Sequence, residues 1–265
     1  MELILQNLNS RCLVIRNQTP FSFIMNLPYQ KIFQIICFTV FSVSLNAQTG
    51  NYISMKQRTE ILENKKKLTN EVDLYYDKNK QTITKYYHSS PEFIMNINAL
   101  GEIKTYYPKS NEVGFKHVPE LSSKRNLIYY FINNFTDHLG LADEGFQLSS
   151  NTYENQYNIT VWKAPSYLKN IESVKMVFDN GLPVFAEYQA NKNKIIKKIY
   201  YTSYKNFTQF RFPHKIIEIS YLPTGDSIIN RTVFSEISIS PTTDNPFFTF
   251  KIPNNAKPVK VSENH

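Results

Sequence analysis

The spacing of apolar and polar positions changes near residue 70 of the chain. From residue 52 to residue 68 apolar residues are scattered among polar ones, and the lysines Lys65, Lys66 and Lys67 stand near the end of the stretch. This pattern predicts one amphipathic helix, because cations stabilise the negative end of a helix dipole. From Gln81 onwards apolar and polar residues alternate with a period of two, which is typical of half-exposed β-strands.

Short segments of this second kind recur along the rest of the chain, separated by turn-forming residues. Tight connections at residues 99–101, 108–111, 179–181 and 223–226 predict antiparallel hairpins between strands that are neighbours in sequence. The predicted strands cover residues 81–88, 92–98, 102–107, 112–118, 146–153, 156–163, 172–179, 183–190, 195–204, 214–221, 228–240 and 247–251.

One segment interrupts the alternation and carries apolar residues at helical spacing instead. It begins at residues 122–125, ends at Gly140 and should form a helix of roughly three to four turns. Ile128, Tyr129 and Ile132 make it apolar on most sides, and such a helix needs cover on two faces. The residues at helical spacing are Leu127, Tyr130, Phe131, Asn134, Phe135 and His138.

Together these segments predict an α+β fold of mainly antiparallel β-structure. About 11–12 strands with an apolar helix inside the series favour a strongly curved, open barrel. The N-terminal helix and the internal helix are then expected to cover its concave face. No repeat or second domain is visible in the sequence, so residues 49–265 are assigned to a single domain.

The first 48 residues have the organisation of a removable secretion signal. Lys31 precedes the apolar run 32–45, and Asn46, Ala47 and Gln48 supply a small-residue cleavage site. The run is shorter than the ~20 residues that a membrane-spanning helix needs. Residues 1–48 are therefore interpreted as an N-terminal extension and cleaved signal peptide, and the domain as exported to the periplasm in soluble form. An uncleaved membrane anchor is the alternative.

Composition narrows the chemistry open to this domain. Both cysteines, Cys12 and Cys37, fall in the predicted signal region, so the domain has no thiol for a disulfide, a nucleophile or a metal. The net charge is +8, but lysines are spread along the chain among many Asn, Ile and Tyr residues, which argues against nucleic-acid binding. None of the seven glycines belongs to a phosphate-binding loop or flanks a serine nucleophile.

The histidines give no support to a metal or catalytic site either. Five are present, and no two of them have the spacing of metal ligands on one helix. We therefore expect a protein that is not an enzyme and uses no cofactor or metal, and a hydrolase with an unrecognised active site is the alternative. The histidines are His88, His117, His138, His214 and His265.

Several strands carry apolar side chains that alternate to one face. An ordinary packed core explains such triplets as well as a binding surface does, because buried strand faces are apolar in both. The three triplets are Phe93, Met95 and Ile97; Val174, Met176 and Phe178; and Ile217, Ile219 and Tyr221.

Several local motifs occur in an order that has a parallel in a known family. Residues 91–95 supply a proline and an apolar strand, Gly101 a turn, and residues 105–113 a tyrosine and a proline ahead of the next strand. A hairpin at 174–183, Phe212 with Pro213, and a closing phenylalanine, strand and proline at 248–253 follow. Over about residues 52–260, this order and spacing resemble the LolA-type family of outer-membrane lipoprotein carriers.

One position departs from the pattern of that family. Its members commonly have an arginine–proline pair on an early strand, whereas this chain has Asp77, Lys78 and Asn79 in the corresponding stretch. Lys78 is the candidate substitute for the family's arginine.

The resemblance implies an open antiparallel barrel whose concave face is lined by apolar side chains and partly closed by helices. In the family, this cavity holds the acyl chains of a lipoprotein between the inner and outer membranes. The nine residues of the three triplets would line the wall of the cavity. The lid or plug would be formed by Leu127, Tyr130, Phe131 and Phe135.

The function that the resemblance implies is that of a periplasmic carrier or chaperone, which binds lipoprotein acyl chains or similar hydrophobic cargo for delivery towards the outer membrane. The implied partners are the lipoprotein or lipid cargo, an inner-membrane release complex and an outer-membrane acceptor, with transient membrane contact by a monomer. The alternatives are a non-catalytic lipid or lipoprotein sensor of the same fold, and a structural surface protein whose core is filled.

Overall fold

The computed structural model describes residues 50–88, 90–191 and 194–259, and the predicted signal region, residues 1–48, lies outside them. Within these ranges fourteen strands join into a single sheet. Their bounds are β1 (Tyr52–Glu63), β2 (Lys66–Asp77), β3 (Thr82–Tyr87), β4 (Phe93–Ile97), β5 (Glu102–Tyr107), β6 (Glu112–His117), β7 (Gln147–Glu154), β8 (Tyr157–Lys163), β9 (Ser173–Asp179), β10 (Leu182–Ala190), β11 (Lys194–Asn206), β12 (Arg211–Tyr221), β13 (Ser227–Ser240) and β14 (Lys257–Val259).

The strands follow one another as two antiparallel meanders. The order in the sheet is β14-β6-β5-β4-β3-β2-β1-β13-β12-β11-β10-β9-β8-β7. Antiparallel pairing of β1 with β13, from Tyr52 opposite Ser240 to Leu62 opposite Ile229, joins the two meanders. The last strand, β14, pairs in parallel with β6. β7 and β14 are left as the edges of one large, curved and unclosed sheet, which agrees with the predicted open barrel.

The predicted N-terminal helix over residues 52–68 is wrong, because these residues form β1 and the start of β2. Ile53 and Met55 alternate onto the buried face of the sheet. Asn64 and Lys65 have positive φ angles of 49° and 62°, the backbone geometry of a two-residue hairpin turn. The lysine-rich stretch therefore reverses the chain between two strands instead of ending a helix.

The internal helix is present but much shorter than predicted. It forms α1 (Leu127–Ile132), which begins where the side-chain oxygen of Asn126 accepts a hydrogen bond from Ile128 N at 2.9 Å. Asn134, whose φ of 58° is left-handed, stops the helix well before Gly140. No helix of the described residues is long and apolar enough to cross a membrane. The structure also contains 3₁₀ turns at Pro119–Leu121, Ser123–Arg125 and Pro246–Phe248.

Most of the hydrophobic core lies on the concave face of the sheet, with α1 packed into its centre. Phe131 is fully buried, and the centroid of its ring lies 5.5 Å from that of Phe212 on β12 and 6.0 Å from that of Tyr201 on β11. Inward-facing residues of β1 and β2, such as Ile53 and Leu74, belong to the same cluster. An apolar helix and a curved apolar sheet face thus supply the cover that each requires.

The C-terminal segment covers the opposite, convex face. The strand predicted at residues 247–251 is wrong, since Pro246–Phe248 form a 3₁₀ turn and Pro246 has no N–H to donate to a sheet. Phe247 stacks on Tyr75 of β2, with ring centroids 4.8 Å apart. The meander formed by β1–β6 therefore has apolar packing on both of its faces.

Candidate functional site

Three clefts lie between the concave face of the sheet and the segment that contains α1. The β4 cleft, of about 490 Å³, lies between β3–β6 and residues 118–126. The β9 cleft, of about 250 Å³, lies between β9–β12 and residues 125–144. The β8 cleft, of about 570 Å³, lies between β7–β9, with the turn after β9, and residues 134–137. Arg125 lines both the β4 and β9 clefts, so the start of the α1 segment stands between them.

Rows of side chains that run across neighbouring strands form the sheet wall of the β4 cleft. Antiparallel partners point to the same face, so the strand register places them next to one another. The first row is buried in the core, while the third, in which the rings of Tyr87 and Phe93 stack 4.2 Å apart, is half-buried. The rows are Ile83, Ile97 and Ile103; Lys85, Met95 and Thr105; and Tyr87, Phe93 and Tyr107. All of these residues except Ile83 and Tyr87 line the cleft itself.

The other wall of the β4 cleft is the connection between β6 and α1. Ser123 fastens this connection to the sheet, since its hydroxyl donates to Gln81 O and its backbone N donates to Asn98 O at 3.0 Å. Leu121 also lines the cleft, although 58% of it is exposed to solvent. The connection is therefore held close to the sheet without closing the cleft, and apolar surface stays in contact with water.

Charge in the β4 cleft is mainly positive. Lys85 is largely withdrawn from water, and this burial lowers the pKa of its ammonium below the ordinary 10.5. Lys116 and Arg125 line the same cleft, together with the exposed carboxylate of Glu120. Among the described residues, no group of three or more His, Cys, Asp or Glu side chains is placed to hold a metal ion.

The β9 cleft is small because α1 fills most of the space above β9–β12. Leu127 and Tyr130 of α1 line it, opposite Val174 and Met176, which are 0% and 1% exposed. Burial raises the pKa of Tyr188 to about 12, so that this phenol stays neutral at physiological pH. This part of the concave face has the packing of a core with a small residual space.

The β8 cleft has the largest volume of the three, and its lining mixes aromatic rings with amide and hydroxyl side chains. Phe178 and Trp162 contribute apolar surface, and Trp162 Nε1 donates to Thr160 Oγ1 at 3.0 Å. Asn151 and Asn158 are among several amide and hydroxyl side chains in the lining. An acyl chain in this cleft would lie beside these amide and hydroxyl groups as well as beside the two rings.

Two of the three predicted wall triplets lie on the concave face. The first lines the β4 cleft, and the second is divided between the β9 and β8 clefts. The third, Ile217, Ile219 and Tyr221, lies on the convex face, because side chains alternate and the intervening Ile216 and Glu218 line the β9 cleft. Both alternating sets of residues in this strand contain apolar side chains, so alternation alone does not identify its inner face.

The predicted lid residues are placed unequally. Tyr130 and Phe131 are buried between α1 and the sheet, and Leu127 is half-buried at the β9 cleft. Phe135 lies beyond the end of α1 and is 47% exposed. The first three therefore have the position of a plug, while Phe135 lies outside it. Their role as a lid stays a prediction.

Lys85 lies on the concave face and lines the β4 cleft, whereas Lys78, the candidate substitute for the family's arginine, does not. Lys78 lies in the turn after β2, where its backbone N donates to Asn51 O at 2.8 Å, and it lines none of the three clefts. Sequence reasoning missed Lys85, although the alternation of Ile83, Lys85 and Tyr87 indicates one common face. A search restricted to apolar residues passes over a cation at such a position.

Comparisons with known proteins bear on the fold. No family model matches the chain, and no curated protein does. A LolA superfamily protein from Nitrosomonas europaea is similar, with 11% identity over 75% of this chain and 90% of that chain, at a TM-score of 0.49. The chain resembles LolA-type proteins in structure. This similarity in fold agrees with the LolA-like resemblance predicted from the motifs.

Two further solved structures are similar over most of their length. For a DUF1329 family protein from Desulfovibrio piger, the identity is 11%, over 82% of this chain and 96% of that one, at a TM-score of 0.48. For a domain assigned to outer-membrane lipoprotein sorting from Vibrio parahaemolyticus, it is 12%, over 77% and 92%, at 0.47. At such identities the LolA-like resemblance concerns the fold, and function has to be argued from the clefts.

Proposed function

We propose that this protein binds the acyl chains of a lipoprotein or a similar lipid in the β4 cleft and carries them through the periplasm towards the outer membrane. The proposal requires no catalytic group. The observation that supports it best is the β4 cleft itself, an apolar space of about 490 Å³ that is open beside a buried plug. Pockets for small molecules typically enclose roughly 300–1,000 Å³.

The apolar rows of the β4 cleft would supply the binding free energy. Each buried methylene group contributes about 0.8 kcal/mol, so a twelve-carbon chain would gain on the order of 10 kcal/mol before the cost of ordering is subtracted. Phe93, Met95 and Ile97 are spaced along β4, where they would contact successive parts of one extended chain. Such a gain is large enough to keep a lipid from leaving into water.

The α1 segment would oppose this gain and so permit release. A larger cargo that extended from the β4 cleft towards β9 would have to displace Tyr130 and Phe131, which are buried between α1 and the sheet. The burial lost by the plug is subtracted from the burial gained by the lipid. The resulting net affinity is smaller than the gross value, which suits a protein that both accepts and delivers its cargo.

The predicted secretion signal supports a periplasmic location for this carrier. A protein that moves lipid across the periplasm needs a donor and a receiver, so the proposed partners are a release complex at the inner membrane and an acceptor at the outer membrane. Contact with either membrane would be transient, and the carrier would act as a monomer.

Mass spectrometry of bound lipid tests the proposal. Residues 48–265 are purified from their own periplasm without detergent, and organic extracts should contain a lipid or lipoprotein in near-stoichiometric amount. Phe93→Asp should abolish retention, because it removes an aromatic ring that would contact the acyl chain and places a hydrated carboxylate in the β4 cleft instead. Phe115→Asp is the matched control, since Phe115 is 56% exposed outside that cleft.

Two results would contradict the proposal. A ligand-free wild-type protein that also takes up no acylated probe would rule out carriage of hydrophobic cargo and leave a non-catalytic interaction module as the better explanation. Equal lipid retention by the Phe93→Asp and Phe115→Asp proteins would show that the β4 cleft is not the binding site.

A further inference from the structure

The β4 cleft contains a positive charge that a neutral acyl chain cannot pair with. Lys85 stands in the middle of β3, in register with Leu74 on β2 and Met95 on β4, where an apolar side chain would complete the row. Among the described residues no carboxylate forms a salt bridge with its ammonium, and burial lowers its pKa. The charge is therefore held on an apolar surface without a counter-ion from the protein.

An ammonium in this position is disfavoured in the absence of a ligand. Withdrawal from water penalises the charged form, and the pKa of Lys85 is lowered accordingly. An anion placed beside it would remove this penalty, since an opposite charge nearby favours the protonated amine. Lys85 is half-buried and has no carboxylate in salt-bridge contact among the described residues, so its partner is to be sought in the ligand.

The rest of the lining agrees in sign. Lys116 on β6 and Arg125 ahead of α1 face the same cleft, against one carboxylate, that of the exposed Glu120. Thr105, in the same row as Lys85, adds a hydroxyl that can donate a hydrogen bond. A cationic head group would be repelled here, and a neutral one would leave Lys85 without a partner.

We propose that the β4 cleft selects single-chain lipids with an anionic head group, namely fatty acids, whose carboxylate pairs with Lys85 while the chain lies along Phe93, Met95 and Ile97. This inference rests on the proposed function, because it specifies the cargo of the same cleft. One chain with one small head group suits the separate space of about 490 Å³, which α1 and the residues before it divide from the β9 cleft.

Calorimetry with two matched ligands tests the selection. Residues 48–265, stripped of bound lipid, are titrated with dodecanoate and with dodecan-1-ol, which differ in head-group charge and share an apolar chain. The wild type should bind dodecanoate roughly tenfold more tightly, as expected for a charge-assisted hydrogen bond. Lys85→Met should lower the dodecanoate affinity roughly tenfold and leave that of the alcohol unchanged. Lys85→Arg, which keeps the charge, should retain the preference.

The matched control is Lys104→Met, because Lys104 is exposed on the opposite face of β5 and should affect neither ligand. Equal dodecanoate affinity in the wild type and the Lys85→Met protein, or a wild-type preference for the alcohol, overturns the anion selection and leaves acyl-chain binding intact. Failure of the wild type to bind either ligand overturns the proposed function and this inference with it. Thermal unfolding of each variant confirms that the measured proteins are folded.

Discussion

The two halves of the concave face are built from the same kind of strand but differ in what covers them. Above β9–β12, Val174 and Met176 meet α1 and are 0% and 1% exposed. Above β3–β6, Phe93 and Met95 alternate as regularly but stay half-buried beside an open cleft. An apolar helix covers the first half, and a connection fastened by Ser123 spans the second. Alternation thus defines an apolar face, and the covering element decides whether that face becomes core or cleft.

The largest loss of stability should come from truncating a plug residue in the half of the concave face that α1 covers. Phe131→Ala should lower the free energy of unfolding by about 3–5 kcal/mol, because a fully buried ring leaves a cavity. Phe135→Ala, at a ring that is 47% exposed, should change it by less than about 1 kcal/mol. Urea denaturation measures both values. Similar losses for the two proteins would contradict the placement of Phe131 as the plug.

Methionines on the inner faces of β4 and β9 allow a direct comparison of the two halves. Met176→Ala should cost about 2–5 kcal/mol of stability, since Met176 is 1% exposed. Met95→Ala removes a half-buried side chain at the edge of a cleft and should cost about 1 kcal/mol. Lipid extraction should show reduced cargo for Met95→Ala. If the two substitutions were equally destabilising, the β4 half would be packed as tightly as the β9 half.

Replacing Lys85 by an apolar residue should raise the free energy of unfolding and not lower it. Lys85→Met should stabilise the ligand-free protein by about 1 kcal/mol at pH 7, because it removes a poorly solvated charge from an apolar row. Urea denaturation of the two proteins at equal pH measures the gain. A loss of stability would indicate that a group of the protein already compensates this ammonium.

The pH dependence of that gain has a defined sign. Burial lowers the pKa of Lys85 in the folded protein from 10.5, so above the lowered pKa the unfolded chain binds more protons and wild-type stability rises with pH. The advantage of Lys85→Met should therefore shrink as the pH is raised from 7 towards 10.5. Buried phenols such as Tyr76, whose pKa burial raises to about 12, titrate in both proteins and cancel in the difference.

Much of the sheet was predictable from local alternation, and the failures have identifiable causes. The strand predicted at 102–107 coincides with β5, because Glu102 and Tyr107 are bounded by turn residues on both sides. The first hairpin was missed since its turn, Asn64 and Lys65, lacks the glycine that usually marks such turns. Helical spacing continues in the sequence beyond Asn134, and only the left-handed backbone at that residue ends α1.

The inner face of a strand could be predicted where one of its two alternating sets of residues is more apolar than the other, and not elsewhere. On β4 the residues Phe93, Met95 and Ile97 are all apolar, while the other set contains the polar Glu92 and Asn96 beside Ile94, so the inner face of this strand could be inferred. On β12 apolar residues occur at both phases, and pairing with β11 and β13, which fixes the inner face, is a long-range property. Lys85 has the correct phase, but its significance depends on the burial that strands β2 and β4 create around it.

The unclosed sheet also has a mechanical meaning. In a closed barrel the number of strands and their stagger fix the radius of the barrel. Here β7 and β14 are not paired with each other, so the curvature can relax through small changes of twist between neighbouring strands while every ladder hydrogen bond is kept. The width of the concave side is therefore set by elastic bending of the sheet and not by the number of strands.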